Sequence, residues 1–165
     1  NCILCSSPSK TFNLAGLQVS NIFISDEQKR QKFKTEIEKT GYSQLNTMGL
    51  AAAQAAYKHG ARWTDELNKY LETNLAYIRN FLKENLAQVK LIEPEGTYLL
   101  WLDFNALKIS ENKLKYQMAN KAKLHLSYGK GFGVEGKGFF RINIACPIST
   151  IKEAMKRLKF AFASF

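Results

Sequence analysis

Between Thr64 and Leu86 the chain sets Leu67, Leu71, Leu75, Ile78, Leu82 and Leu86 three or four residues apart. That spacing draws one apolar stripe along about six helical turns. A one-sided helix of this length needs a surface to pack on from end to end, so it reads as a scaffold helix around which the rest must be arranged. The a/d pattern does not persist over enough heptads for a coiled coil. Thr64 stands where an N-cap belongs, with Asp65 and Glu66 in the first turn, where carboxylates favour the helix dipole.

The flanking segments follow from the same kind of reading. Residues 1–5 and 19–25 are apolar strands on either side of a loop that contains Lys10. Ser25 and Gln28 form a capping-box pattern opening a charged helix to Lys39, with Phe33 and Ile37 stacked at i,i+4 and Gly41 closing it. A second helix is expected from Ser43 to His59, its run Gly49 to Ala56 rich in small residues that allow close approach to another element, with Gly60 as the C′ residue. Beyond the scaffold helix, residues 90–104 read as a strand, a turn and a longer strand. A helix from Ser110 to Ala122 with Leu114 and Met118 inward, a strand over 124–128, a glycine-rich loop and a strand over 139–144 come next. Thr150 and Glu153 make a second capping box for a terminal helix that turns Ala154, Leu158 and Phe162 inward. Helices first and a strand-rich α+β part later place a boundary near residue 60.

The 165 residues, 45% of them hydrophobic, can bury one substantial core or a small domain with part of another. No apolar run reaches the roughly 18 residues needed to cross a bilayer, so no membrane partner is expected and the cytoplasm is the expected compartment. The net charge of +10 invites a nucleic-acid reading. However, the densest run, Lys29 to Lys34, is followed by Glu36 and Glu38 and has no aromatic platform or recognition helix, so a solvated helix face is the better account. Cys2 and Cys5 have the spacing of a metal or redox pair but fall on opposite sides of a strand, with no His or second Cys pair nearby. With Cys146 they are expected to be reduced, half-buried packing residues. His59 and His125 lack ligand-spaced companions, and no metal is expected. Gly129-Lys130-Gly131-Phe132-Gly133 lacks the G-K-[ST] ending and following helix of a phosphate loop, which leaves a hairpin or an active-site rim.

Two residues can carry chemistry. Lys10 lies in the hydroxyl-rich turn Ser7-Pro8-Ser9-Lys10-Thr11, and a lysine amine that loses its proton attacks aldehydes; by pattern alone, such a lysine reads as a solvated one. Alternation puts Phe139, Arg141 and Asn143 on one face of their strand and Phe140, Ile142 and Ile144 on the other. Arg141 therefore either offers a planar guanidinium to a carboxylate or is an edge-strand arginine paired with a surface acid.

Four ordered segments resemble one family: Lys10-Thr11-Phe12-Asn13-Leu14-Ala15-Gly16-Leu17-Gln18; Ala55-Ala56-Tyr57-Lys58-His59-Gly60 with Trp63; Pro94 to Asp103; and Gly138 to Ala145. They are similar to fold-type I pyridoxal-phosphate enzymes of the class I/II aminotransferase family, most of all its cystathionine β-lyase-like branch. The resemblance implies an α/β fold, the C-terminal part of the PLP-dependent transferase-like architecture. Residues 1–60 would be the end of the cofactor-binding large domain with its linking helix, and residues 61–165 the small α+β domain. It implies pyridoxal 5′-phosphate held as a covalent aldimine on Lys10, Ser7 near its phosphate, Arg141 on the substrate α-carboxylate, and Tyr98 and Tyr128 approaching the substrate. The expected reactions are C-S β-lysis to pyruvate, ammonia and a thiol, or transamination, in a full-length homodimer acting on a small-molecule amino-acid substrate. A non-catalytic basic α/β binding module is the alternative. The family's phosphate cradle, ring-stacking aromatic and pyridine-pairing acid are expected ahead of Asn1, so the isolated chain is expected to be inactive.

Overall fold

In the computed structural model, which describes residues 2–42 and 44–165, the lysine turn is flanked by strands β1 (Ile3–Ser6) and β2 (Asn21–Ile24). They pair antiparallel with Ile3 opposite Ile24. Asn1, placed at the head of the first strand by sequence, and Ser43, the expected start of the second helix, lie outside the described residues. The chain divides into two units, Asn1–Leu67 and Asn68–Phe165.

In the first unit, α1 (Glu27–Lys39) is capped by Asp26, whose carboxylate accepts from Lys29 N at 2.9 Å. The expected Ser25–Gln28 box is thus displaced by one residue, because a carboxylate at the dipole's positive end outcompetes the neighbouring hydroxyl. Gly41 follows this helix at φ +74°, as a left-handed closing residue should. α2 (Thr47–His59) starts later than expected, because Asn46 supplies the cap through its side-chain oxygen to Met48 N at 3.0 Å.

The long helix also begins elsewhere than its cap pattern suggests. α3 (Ala61–Asn85) starts directly after Gly60, and Thr64 sits inside its first turn with its hydroxyl donating to Gly60 O at 3.0 Å. Gly60 keeps a right-handed conformation, φ −85°, and its N–H bonds Ala56 O at 2.8 Å, so backbone bonding continues through the bend and no side-chain cap is needed.

The second unit is a four-stranded antiparallel sheet with helices. Its strands are β3 (Lys90–Ile92), β4 (Leu99–Asp103), β5 (Ser127–Tyr128) and β6 (Phe139–Asn143), in the spatial order β3-β4-β6-β5. The expected strand over 124–128 is reduced to its last two residues. Leu100, Leu102, Phe140 and Ile142 turn inward from the central strands. Leu71, Ile78 and Leu82 of α3 are also buried, but Asn74 interrupts their stripe and is itself fully buried. α4 (Glu111–Tyr116) has Ser110 as N-cap and runs on into a π-helical turn, Gln117–Lys121, with Leu114 and Met118 buried.

α5 (Ile148–Phe162) buries Ile151, Met155, Leu158 and Phe162, whereas Ala154 is only half-buried. Its expected Thr150–Glu153 box does not form, because the helix starts earlier, behind Pro147. Ile148 N donates instead to the Tyr70 hydroxyl at 2.8 Å, a cap delivered from α3. Among the described residues no helix is long and apolar enough to cross a membrane.

Candidate active site

The lysine turn is wound tightly by its own backbone. Phe12 N donates to Pro8 O at 2.9 Å and Leu14 N to Ser9 O at 3.0 Å, while Asn13 takes up the left-handed conformation at φ +55°. Asn accepts that region more readily than most residues, which suits it to closing the turn. Pro8 is fully buried, so the turn is anchored on one side and Lys10 is exposed on the other.

Two hydroxyls belong to the same turn. Ser7 Oγ donates to Val19 O at 2.7 Å, accepts from Ser9 N at 3.2 Å and lies 2.5 Å from Ser9 Oγ. With the Ser7 proton committed to Val19, Ser9 is the donor within the pair, and it can turn its hydroxyl outward without breaking the link that ties the turn to Val19. Sequence reasoning singled out Ser7 and missed Ser9, although Ser9 is adjacent to Lys10 in the same motif. Among the described residues Lys10 has neither a hydrogen bond nor an ion pair. An unengaged amine with two small hydroxyls fits a ligand that carries an aldehyde and a phosphate.

The turn is braced by the elements that follow it. Phe12 stacks on Trp63 with centroids 6.1 Å apart and meets Tyr57 edge-on at 5.9 Å. A Cβ on Gly60 would run into the Phe12 ring, and one on Gly49 would lie 2.8 Å from Leu17 O and against Val19. Gly49 of α2 therefore permits close approach, as expected, and what it admits is the Leu17–Val19 segment that follows the lysine turn.

Arg141 lies in the second unit, on β6, directly opposite Trp101 on one side and Ser127 on the other. Because β6 is an interior strand, the edge-strand alternative does not apply, and among the described residues no acid pairs with this guanidinium. Its carbon lies 4.3 Å from the centroid of the Phe132 ring. Phe132 belongs to the glycine-rich loop, which folds into two short 3-10 turns, Gly129–Phe132 and Val134–Gly136. Beside it is a cavity of about 420 Å³ whose lining includes Ile92, Trp101, Phe132 and Phe139.

Tyr98 is buried, and the Tyr128 hydroxyl accepts from Gly138 N at 3.5 Å. No group of acids, histidines and cysteines able to hold a metal occurs among the described residues. Cys2 and Cys5 are exposed, which corrects the expectation of packing residues; Cys2 precedes β1 and Cys5 lies on it, a strand whose four residues are all exposed. Cys146 is half-buried, and burial pushes its thiol pKa up.

The model of the aminotransferase class I and II family matches residues 1–158. The chain belongs to that family. Within it, the chain is 40% identical over 161 residues to cystathionine beta-lyase PatB of Bacillus subtilis, which covers 98% of this chain and 42% of that protein. Cystalysin from Treponema denticola, whose crystal structure contains pyridoxal 5′-phosphate, superposes with a TM-score of 0.92 at 36% identity, over 98% of this chain and 41% of that one. The pyridoxal-phosphate-bound C-S lyase from Staphylococcus hominis gives a TM-score of 0.85 at 32% identity, covering 96% and 41%. The chain thus spans about 40% of the length of these relatives, and its fold is the α/β one that the four matched segments imply.

Proposed function

We propose that this chain is part of a pyridoxal-phosphate enzyme acting on amino acids, a C-S β-lyase that releases a thiol, pyruvate and ammonia. The observation that carries the reading is the rigid turn presenting Lys10 unpaired beside Ser7 and Ser9, in a chain 40% identical to a cystathionine β-lyase. Transamination is the second reading, favoured by the family's description.

Pyridoxal 5′-phosphate, when bound, supplies an aldehyde for amines and a ring that accepts electrons from a carbon α to nitrogen. Lys10 would hold it through Nζ, with the Ser9 hydroxyl donating toward its phosphate and Ser7 joining it on releasing Val19 O. Lys10 Nζ, when not itself bonded to the cofactor, would be the base that takes the substrate Cα proton. Arg141 would bind the substrate carboxylate through two parallel N–H bonds and so fix which bond at Cα is aligned for cleavage. Residues 1–60 would belong to the cofactor-binding domain and residues 61–165 to the small domain of a cytoplasmic homodimer.

The test uses the full-length protein. Borohydride reduction with pyridoxal 5′-phosphate should trap an adduct that peptide mapping places on Lys10. Release of thiol and pyruvate without an added 2-oxo acid identifies the lyase; an absolute need for the oxo acid identifies the aminotransferase. Absence of the adduct, together with Lys10→Ala behaving as wild type, overturns the enzyme in favour of a basic binding module.

A further inference from the structure

Although no described acid holds Arg141, its guanidinium is not left loose. It lies 4.3 Å over the face of Phe132. That ring is seated edge-on against Trp101, centroids 5.4 Å apart at 81°, and Trp101 is the direct cross-strand neighbour of Arg141. The loop bearing Phe132 is pinned where the Gly129 and Gly136 backbones meet, since a Cβ on either would strike the backbone of the other.

We propose that Phe132 is a positioning residue for Arg141, an inference that rests on the carboxylate role given to Arg141 above. A ring on the π face attracts the cation without using any of its N–H groups. An acid in the same place would occupy the N–H edge and compete with the incoming carboxylate, whereas an unsupported arginine would lose rotamer freedom on binding. Stacking on Phe132 avoids both costs: it limits the side chain to one orientation and leaves the hydrogen-bonding edge open. Phe132 comes from a loop nine positions before Arg141, and its own support is an aromatic contact, so the guanidinium's orientation is set by the glycine-rich loop.

The experiment measures, on the full-length holoprotein, the calorimetric Kd of 3-(methylthio)propionate, a carboxylate with no amine to react with the cofactor, together with kcat and KM for an amino-acid substrate. Phe132→Leu, which keeps apolar packing on Trp101 but removes the π face, is expected to raise Kd and KM about two- to fivefold, with kcat little changed. Phe132→Tyr, which restores the face, is expected to match wild type. Equal weakening in both variants overturns the positioning role, because packing alone then explains the effect. If Arg141→Ala abolishes carboxylate binding while Phe132→Leu binds as wild type, the positioning role fails and the carboxylate role stands. If Arg141→Ala binds as wild type, the carboxylate role itself fails, and this inference with it.

Discussion

The two units bury their apolar residues to very different degrees. In the first, the buried apolar side chains among the described residues are Pro8, Val19, Ile24 and Ala53, while Ile3, Leu4 and Phe23 of the two-stranded sheet are more than half exposed. In the second, α3, the four-stranded sheet and α5 share a continuous set of large buried residues, among them Ile78, Leu100, Leu102, Phe104, Met155 and Phe162. The second unit thus has a core of its own, whereas the first is held together mainly by local devices: backbone bonds in the lysine turn, glycine contacts and one aromatic trio. A turn built this way can expose a reactive amine on a firm backbone without a large core beneath it.

The sharpest test of that difference pairs two phenylalanines. Phe104 packs against Phe140 at 5.7 Å and Phe162 at 5.0 Å, so Phe104→Ala should cost about 3–5 kcal/mol in urea unfolding. Phe23→Ala should change stability by only about 0.5 kcal/mol or less. Equal losses would break the comparison.

Asn74 comes next. Its amide donates to Ile144 O at 2.8 Å and Cys146 O at 3.0 Å, joining α3 to the chain just before α5. Asn74→Ala leaves two carbonyls without their donor and should cost about 2 kcal/mol by the same measurement.

In the first unit the corresponding weak point is a glycine. Gly60→Ala forces a methyl into Phe12 and Ala56 O and should cost about 1–2 kcal/mol, whereas Gly16→Ala, with open space around it, should not. Tryptophan fluorescence separates this site from the rest, since Trp63 stacks on the displaced ring.

The smallest effect is electrostatic. Arg79 donates to both oxygens of Glu93, at 2.8 and 2.7 Å, and these hydrogen bonds hold the Glu93 carboxyl below its usual range. A lowered folded-state pKa means that the pair's contribution is present above the ordinary glutamate pKa and is lost as pH falls through the lowered value. Thermal midpoints of Glu93→Gln and wild type should therefore differ slightly at neutral pH, converge in acid, and converge in high salt because the pair is exposed.

Much of this molecule is written in local pattern. The leucine stripe of α3, the inward Phe140 and Ile142 of β6 and the ordered family segments are all legible in the chain, because periodicity and motif spacing report on neighbours along the sequence. The helix boundaries were less legible. Ser25 and Asp26 compete for one cap within two residues, and only the folded backbone selects Asp26. What the tertiary structure alone decided are contacts between distant positions: the Tyr70 hydroxyl capping α5 across 78 residues, Asn74 standing fully buried in an apolar stripe, and Trp63 meeting Phe12. Lys10 and Arg141, the residues proposed to hold cofactor and substrate, were visible in the chain. The stacking of Arg141 on Phe132 was not, because a guanidinium's partner depends on where a loop folds back over a sheet, and residue spacing carries no record of that.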